Sequence, residues 1–275
     1  MIRDLTGLSW SMGKDFSGNF TQTSLGAYYK TTELVDHVKT YYKASRLIYS
    51  MGFGDESIYE VIYSRLMKEL GIACVDYKLV HAKIKIRGNA YQTYICESQD
   101  FAKDYTSRRT FEKFIEVEGT SLVEIIEKYG FQKRIDQIII ADFIALSFDR
   151  HGANVEVLAD DAGNYFLAPL FDNGNSFFSP YPSCDVNQLP TIREYDVMQN
   201  KRLGNHFMGA IDMLDSLKLV KNKVTVKEFA SIDFKRIFDG IDEILPKEYL
   251  EKIHQMITMR LLYLKEVGLI EEKRI

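Results

Sequence analysis

The sequence is poor in cysteine, proline and tryptophan, and the two signs of charge are nearly balanced. Its three cysteines, Cys74, Cys96 and Cys184, are far apart and form no C-x-x-C pair. That excludes a disulfide framework and the common zinc sites, and it fits a reducing, cytoplasmic setting. Five prolines and 17 glycines are too few for a low-complexity linker protein. Lysine and arginine number 35 against 39 acids, a net charge of −4. No strong basic field results, so direct nucleic-acid binding through bulk charge is not expected. No apolar run reaches the ~18 residues that mark a membrane span. The most apolar stretch, 135–148, is interrupted by Asp136, Gln137 and Asp142. The N-terminus, with Asp4 close to its start, has no leader-peptide pattern. There is no G-x-G-x-x-G loop, no Walker A motif and no G-x-S-x-G elbow. His37, His81, His206 and His254 show no metal-ligand spacing.

What is present is an ordinary globular balance, 46% hydrophobic and 27% charged. Residues 27–30 and 38–43 read as strands, since Val and Tyr suit a pleated surface. Ile58, Ile62 and Leu66 repeat at four, which predicts a helix over 55–70 with Gly71 just past its end. Alternation at 84–86 and 91–95 around Gly88-Asn89 predicts a hairpin. Beyond residue 100 the pattern turns helical, with helices expected at 121–129, 133–148, 206–219 and 246–267. A strand pair at 155–158 and 165–170 interrupts them. The expected architecture is therefore α+β and two-lobed: 1–98 as a sheet-rich lobe with one helix, 99–275 as a mainly helical lobe. Clefts between lobes are common ligand sites.

The chemistry sits in Asp149-Arg150-His151-Gly152-Ala153-Asn154 and in Leu170-Phe171-Asp172-Asn173-Gly174. The first segment opens a hairpin and the second closes it. With a turn near Ala162, Asn154 falls opposite residue 170, and antiparallel partners lie about 5 Å apart. Asn154 and Asp172 should therefore meet, with Asp149 just before them. Such oxygen ligands suit Mg²⁺, which takes one or two carboxylates plus substrate phosphates. In protein kinases the catalytic-loop Asp and the metal-binding Asn stand five positions apart, and the metal-binding Asp lies on a DFG turn. Asp149 and Asn154 have that separation, and Phe171-Asp172-Asn173-Gly174 occupies the place of the turn.

The strings D-R-H-x-x-N and A-P-L-F-D-N-G resemble the HipA-like serine/threonine kinases, in a short form made of the kinase core. The resemblance extends more loosely over 25–215 and implies the two-lobed protein-kinase-like fold. It also implies ATP- and Mg²⁺-dependent phosphoryl transfer to a protein Ser/Thr hydroxyl. On that similarity Asp149 would be the catalytic Asp, and His151, two positions on, would stand near the γ-phosphate. Asn154 and Asp172 would hold Mg²⁺. Lys43 would reach the ATP phosphates, with Lys30 as its rival, and Glu60, or alternatively Glu56, would pair with that lysine. Backbone groups at Glu97, Ser98 and Gln99 would meet adenine. The Gly13–Gly26 segment would cover the phosphates, and Ser17, Thr21 and Ser24 are candidates for autophosphorylation. An antitoxin-like partner is a further expectation. Two other readings stay open: a small-molecule kinase of the aminoglycoside or choline type, and a nucleotide-binding pseudokinase acting as a binding module.

Overall fold

Alternating side chains in the first hundred residues build a sheet with one apolar face. The computed structural model describes residues 1–12, 28–48, 52–179, 206–209 and 211–273. The Gly13–Gly26 segment, with Ser17, Thr21 and Ser24, lies outside the described residues, as does Cys184. Strands β1 (Arg3–Asp4), β2 (Ser11–Met12), β3 (Tyr29–Val35) and β4 (Val38–Ala44) precede a small ladder of β5 (Leu47–Ile48) and β6 (Gly52–Phe53). Helix α1 (Glu56–Leu70) follows, then β7 (Lys78–Ile86) and β8 (Asn89–Gln99). The main sheet has the order β1-β7-β8-β4-β3-β2, antiparallel except for the β1–β7 pair.

Period-two alternation divides the sheet into two faces. Tyr29, Tyr42, Ala44, Ala82, Ile84, Ile86 and Ile95 form an apolar cluster with Leu5 on one face, and Trp10 packs against it. Lys43, between Tyr42 and Ala44, is thereby turned to the opposite face, where α1 lies. Helix α1 ends as predicted at Gly71, which takes the left-handed φ of 75° that suits glycine. The β7–β8 turn sits one residue earlier than expected. Arg87 and Gly88 both have positive φ, 49° and 87°, as a two-residue primed turn requires, and Asn89 pairs with Ile86.

The second half carries β9 (Ser107–Thr110), α2 (Phe111–Glu118), α3 (Leu122–Tyr129), α4 (Gln132–Ile144), β10 (Glu156–Ala159) and β11 (Tyr165–Leu167). After these come α5 (Met213–Ser216), β12 (Val224–Lys227), α6 (Phe234–Phe238), α7 (Lys247–Glu266) and β13 (Ile270–Lys273). Strand β9, not anticipated in a stretch read as helical, joins β10 and β11 in a three-stranded sheet. One large core runs from α1 through α4 and α7, with Tyr63, Phe143 and Ile257 fully buried in it. Helix α1 thus packs against the sheet on one side and the helical half on the other.

Three expected elements end early for tertiary reasons. Helix α4 stops at Ile144 because Leu146 turns left-handed at φ 52°. The 145–148 backbone then pairs with residues 175–177, Phe177 donating to Ala145 and Phe148 to Asn175. Strand β11 stops at Leu167 because Leu170 leaves the hairpin to bridge to Cys74. The 206–219 helix shrinks to α5 and a 3₁₀ turn at Leu217–Leu219, because Phe207 donates to the Arg150 carbonyl and Gly209 to that of His206. Among the described residues no helix is long and apolar enough to cross a membrane.

Candidate active site

Lys43 stands on β4, facing α1. Its Nζ lies 2.6 Å from Glu60 Oε1 and forms an ion pair with Asp172 Oδ1. Glu60 is fully buried on α1, and its second oxygen accepts from the backbone N–H of Asn173 at 2.8 Å. Glu60 is therefore the acid that meets Lys43. Glu56, one helical turn earlier, accepts instead from the backbone N–H of Arg46 at 3.2 Å. Lys30, on β3, reaches the same Asp172 at 3.5 Å through Oδ2. The structure brings Lys43, Lys30, Glu60 and Asp172 together from four separate elements.

Electrostatics follow from that packing. Burial alone would lift the Asp172 pKa, but Lys30 and Lys43 outweigh it and hold the carboxyl far below the usual carboxylate range. Burial works against charge on Lys43, yet Asp172 and Glu60 keep its pKa well above the ordinary lysine value. Tyr28 lies with its ring 4.5 Å from Lys43 Nζ, and burial pushes its hydroxyl up to about 12. Asp172 sits at φ 55°, a region Asp tolerates better than most residues.

Asp149 lies just beyond α4. Its Oδ2 accepts from Asn175 at 2.7 Å, and the Asn175 amide oxygen accepts from the Tyr28 hydroxyl at 2.8 Å. Asn154 ends a 3₁₀ turn at Gly152–Asn154, and its amide nitrogen donates to the Asp149 carbonyl at 2.8 Å. Its amide oxygen is the atom suited to a cation. His151 Nδ1 is buried with no hydrogen-bond partner among the described residues. A buried ring nitrogen without a partner is a place where a polar group of a bound ligand would fit.

Arg150 is the residue to which sequence reasoning assigned no role. It is 1% exposed and grips Asp142 with two bonds, Nε to Oδ2 at 3.0 Å and Nη2 to Oδ1 at 2.8 Å. Its remaining hydrogens go to the carbonyls of Phe171 (2.8 Å) and Asn154 (3.3 Å) and to Asn173 Oδ1 (2.6 Å). It thus ties the opening and closing ends of the β10–β11 hairpin to α4. The available signal was Asp142, an acid in an apolar helix that needs a cation. Gly174 is required by contact. A Cβ there would stand 3.0 Å from the Glu56 carbonyl oxygen and 3.1 Å from its Cβ, so the 172–174 turn rests directly on α1.

At the proposed adenine edge, Glu97 is paired on both sides, with Lys78 and Tyr42, and its carboxylate meets Arg3 at 2.6 Å. Ser98 and Gln99 have ladder partners only on β4, Tyr41 and Thr40. Cys74 and Cys96 are thiols whose pKa burial pushes far up, away from the reactive thiolate form.

By type, these donors are ones that a magnesium-bound polyphosphate would use. Asp172, Asn154 and Asp149 offer hard oxygens. Lys43, Lys30 and His151 offer nitrogen donors to phosphate oxygens. Among the described residues no three His, Cys, Asp or Glu side chains gather closely enough to hold a metal by themselves. A cation here would share its ligands with the phosphates, the usual habit of Mg²⁺.

The architecture is the α+β fold expected from the sequence, and it is shared with a solved kinase structure. The crystal structure of a Helicobacter pylori proinflammatory kinase, CtkA, is similar at a TM-score of 0.62 and 16% identity, over 98% of this chain and 97% of that one. At that identity the likeness shows the fold. A Shewanella oneidensis toxin–antitoxin complex of HipA, HipB and operator DNA gives a TM-score of 0.40 at 12% identity, over 88% of this chain and 64% of that one. No family model and no curated protein matches the sequence.

Proposed function

We propose that the chain is a kinase that moves the γ-phosphoryl group of ATP, with Mg²⁺, to a protein Ser/Thr hydroxyl. The observation that carries this reading is the Lys43–Glu60–Asp172 cluster, assembled from a strand, a helix and a post-hairpin turn. Glu60 anchors Lys43, and Lys43 neutralises phosphate charge. Asp172 and Asn154 would hold Mg²⁺, which supplies charge neutralisation at the phosphates when bound. Asp172, kept ionised, would offer a carboxylate to the cation once its lysine partners turn to phosphate. Asp149, oriented by Asn175, accepts the proton of the acceptor hydroxyl as that oxygen bonds to the γ-phosphorus. The bond from γ-phosphorus to the bridging oxygen breaks, and ADP leaves. His151 Nδ1 would hydrogen-bond the transferring group. Positioning and electrostatics of this kind are most of what phosphoryl transfer asks of a protein.

The test is transfer from labelled ATP to a panel of proteins and, separately, to small alcohols. Asp172→Asn should abolish transfer and leave the circular dichroism spectrum unchanged. Wild-type transfer by that variant would refute the assignment. Labelling of small alcohols alone would refute the protein substrate.

A further inference from the structure

Lys30 and Lys43 are register partners on β3 and β4. Their side chains rise from the same face, with Cβ atoms about 5 Å apart, where like charges repel. The pair is tolerated because one carboxylate serves both, Asp172 meeting Lys43 through Oδ1 and Lys30 through Oδ2. The two lysines differ in depth. Lys43 has 6% of its side chain exposed and is anchored by Glu60, whereas Lys30 has 17% exposed and lies toward solvent. The sequence also lacks the glycine-patterned loop that elsewhere wraps phosphates in backbone N–H groups.

We propose that Lys30 is a second phosphate-binding residue, which engages the phosphate chain together with Lys43 and makes the cleft selective for nucleoside di- and triphosphates over monophosphates. This rests on the kinase reading above and names its ligand preference. When a phosphate chain enters, both lysines have an anion to turn to, and Asp172 is released for the cation.

Calorimetric titration of the full chain with ATP, ADP and AMP, each with Mg²⁺, tests the idea without any need for turnover. A charge-assisted hydrogen bond is worth enough that Lys30→Met should weaken ATP and ADP by about tenfold or more. AMP should change by less than about threefold, and Lys30→Arg should stay within about threefold of wild type for all ligands. Should the methionine variant fail to fold by circular dichroism, Lys30→Gln, polar at a partly exposed position, carries the same comparison. Three results would overturn the proposal. If the variant keeps wild-type ATP and ADP affinity, the role of Lys30 falls while the kinase reading stands. Equal losses for all three nucleotides would mean that Lys30 acts through the fold. If the wild-type chain binds none of them, the kinase reading falls and takes this inference with it.

Discussion

Replacing Arg150 with methionine should be among the most damaging single changes outside the reacting groups. Methionine keeps much of the apolar volume and removes the guanidinium. Asp142, 3% exposed, would keep only the Tyr63 hydroxyl at 3.0 Å as a described hydrogen-bond donor. Breaking a buried ion pair from one side costs about 3–5 kcal/mol, because a charge is left without compensation. The carbonyls of Phe171 and Asn154 would lose a donor as well, so the upper part of that range is expected. Urea unfolding followed by circular dichroism measures the loss. Arg150→Met/Asp142→Leu should recover at least about 1 kcal/mol relative to the single variant, since no buried charge is stranded. Arg150→Lys keeps a cation without the planar fork and should fall between wild type and methionine. The reasoning fails if Arg150→Met loses less than about 1 kcal/mol, or if the double variant shows the plain sum of the two single losses.

Two other predictions concern packing and proton linkage. Gly174→Ala should cost about 1–3 kcal/mol, because a methyl group would press on the Glu56 backbone at 3.0 Å. Calorimetry should show a lower melting temperature together with reduced transfer, and a wild-type melting temperature would refute the contact. His206 is held neutral by burial, with its pKa lowered to about 4. The unfolded chain takes a proton near pH 6.5 that the folded chain refuses until about pH 4, so stability falls as pH drops through that window. At about 1.4 kcal/mol per pH unit the full loss is about 3 kcal/mol. Urea midpoints of wild type and His206→Gln at pH 8 and pH 4.5 should diverge, the wild type losing more, and parallel profiles would sink the argument.

Part of the candidate site is local in the sequence. Asp149 and Asn154 share one short loop, and Arg150 within it donates to the carbonyls of both Asn154 and Phe171, the residue before Asp172, while the hairpin pairing itself ends at Leu167. The choice between Glu56 and Glu60 was not legible. Helix α1 is buried nearly all round, so its periodicity marks no single inward face. Lys30 against Lys43 was equally open. The answer, that both reach Asp172, depends on the register of β3 against β4 and on where the 172–174 turn docks.

The sequence by itself determined the elements whose causes are local. Gly71 ends α1, Ser121 and Glu124 form the capping box that starts α3, and the apolar stripe of α7 gives nearly its full length. Hydrogen bonds and side-chain contacts within a few positions decide such features. Only the tertiary structure decided where Asp136 and Asp142 find their partners. Asp136 accepts from the backbone N–H groups of Lys221 and Asn222, and Asp142 takes Arg150. An acid inside an apolar helix announces that it needs a donor. Which donor answers depends on chain segments brought together by folding, and spacing along the sequence does not encode that.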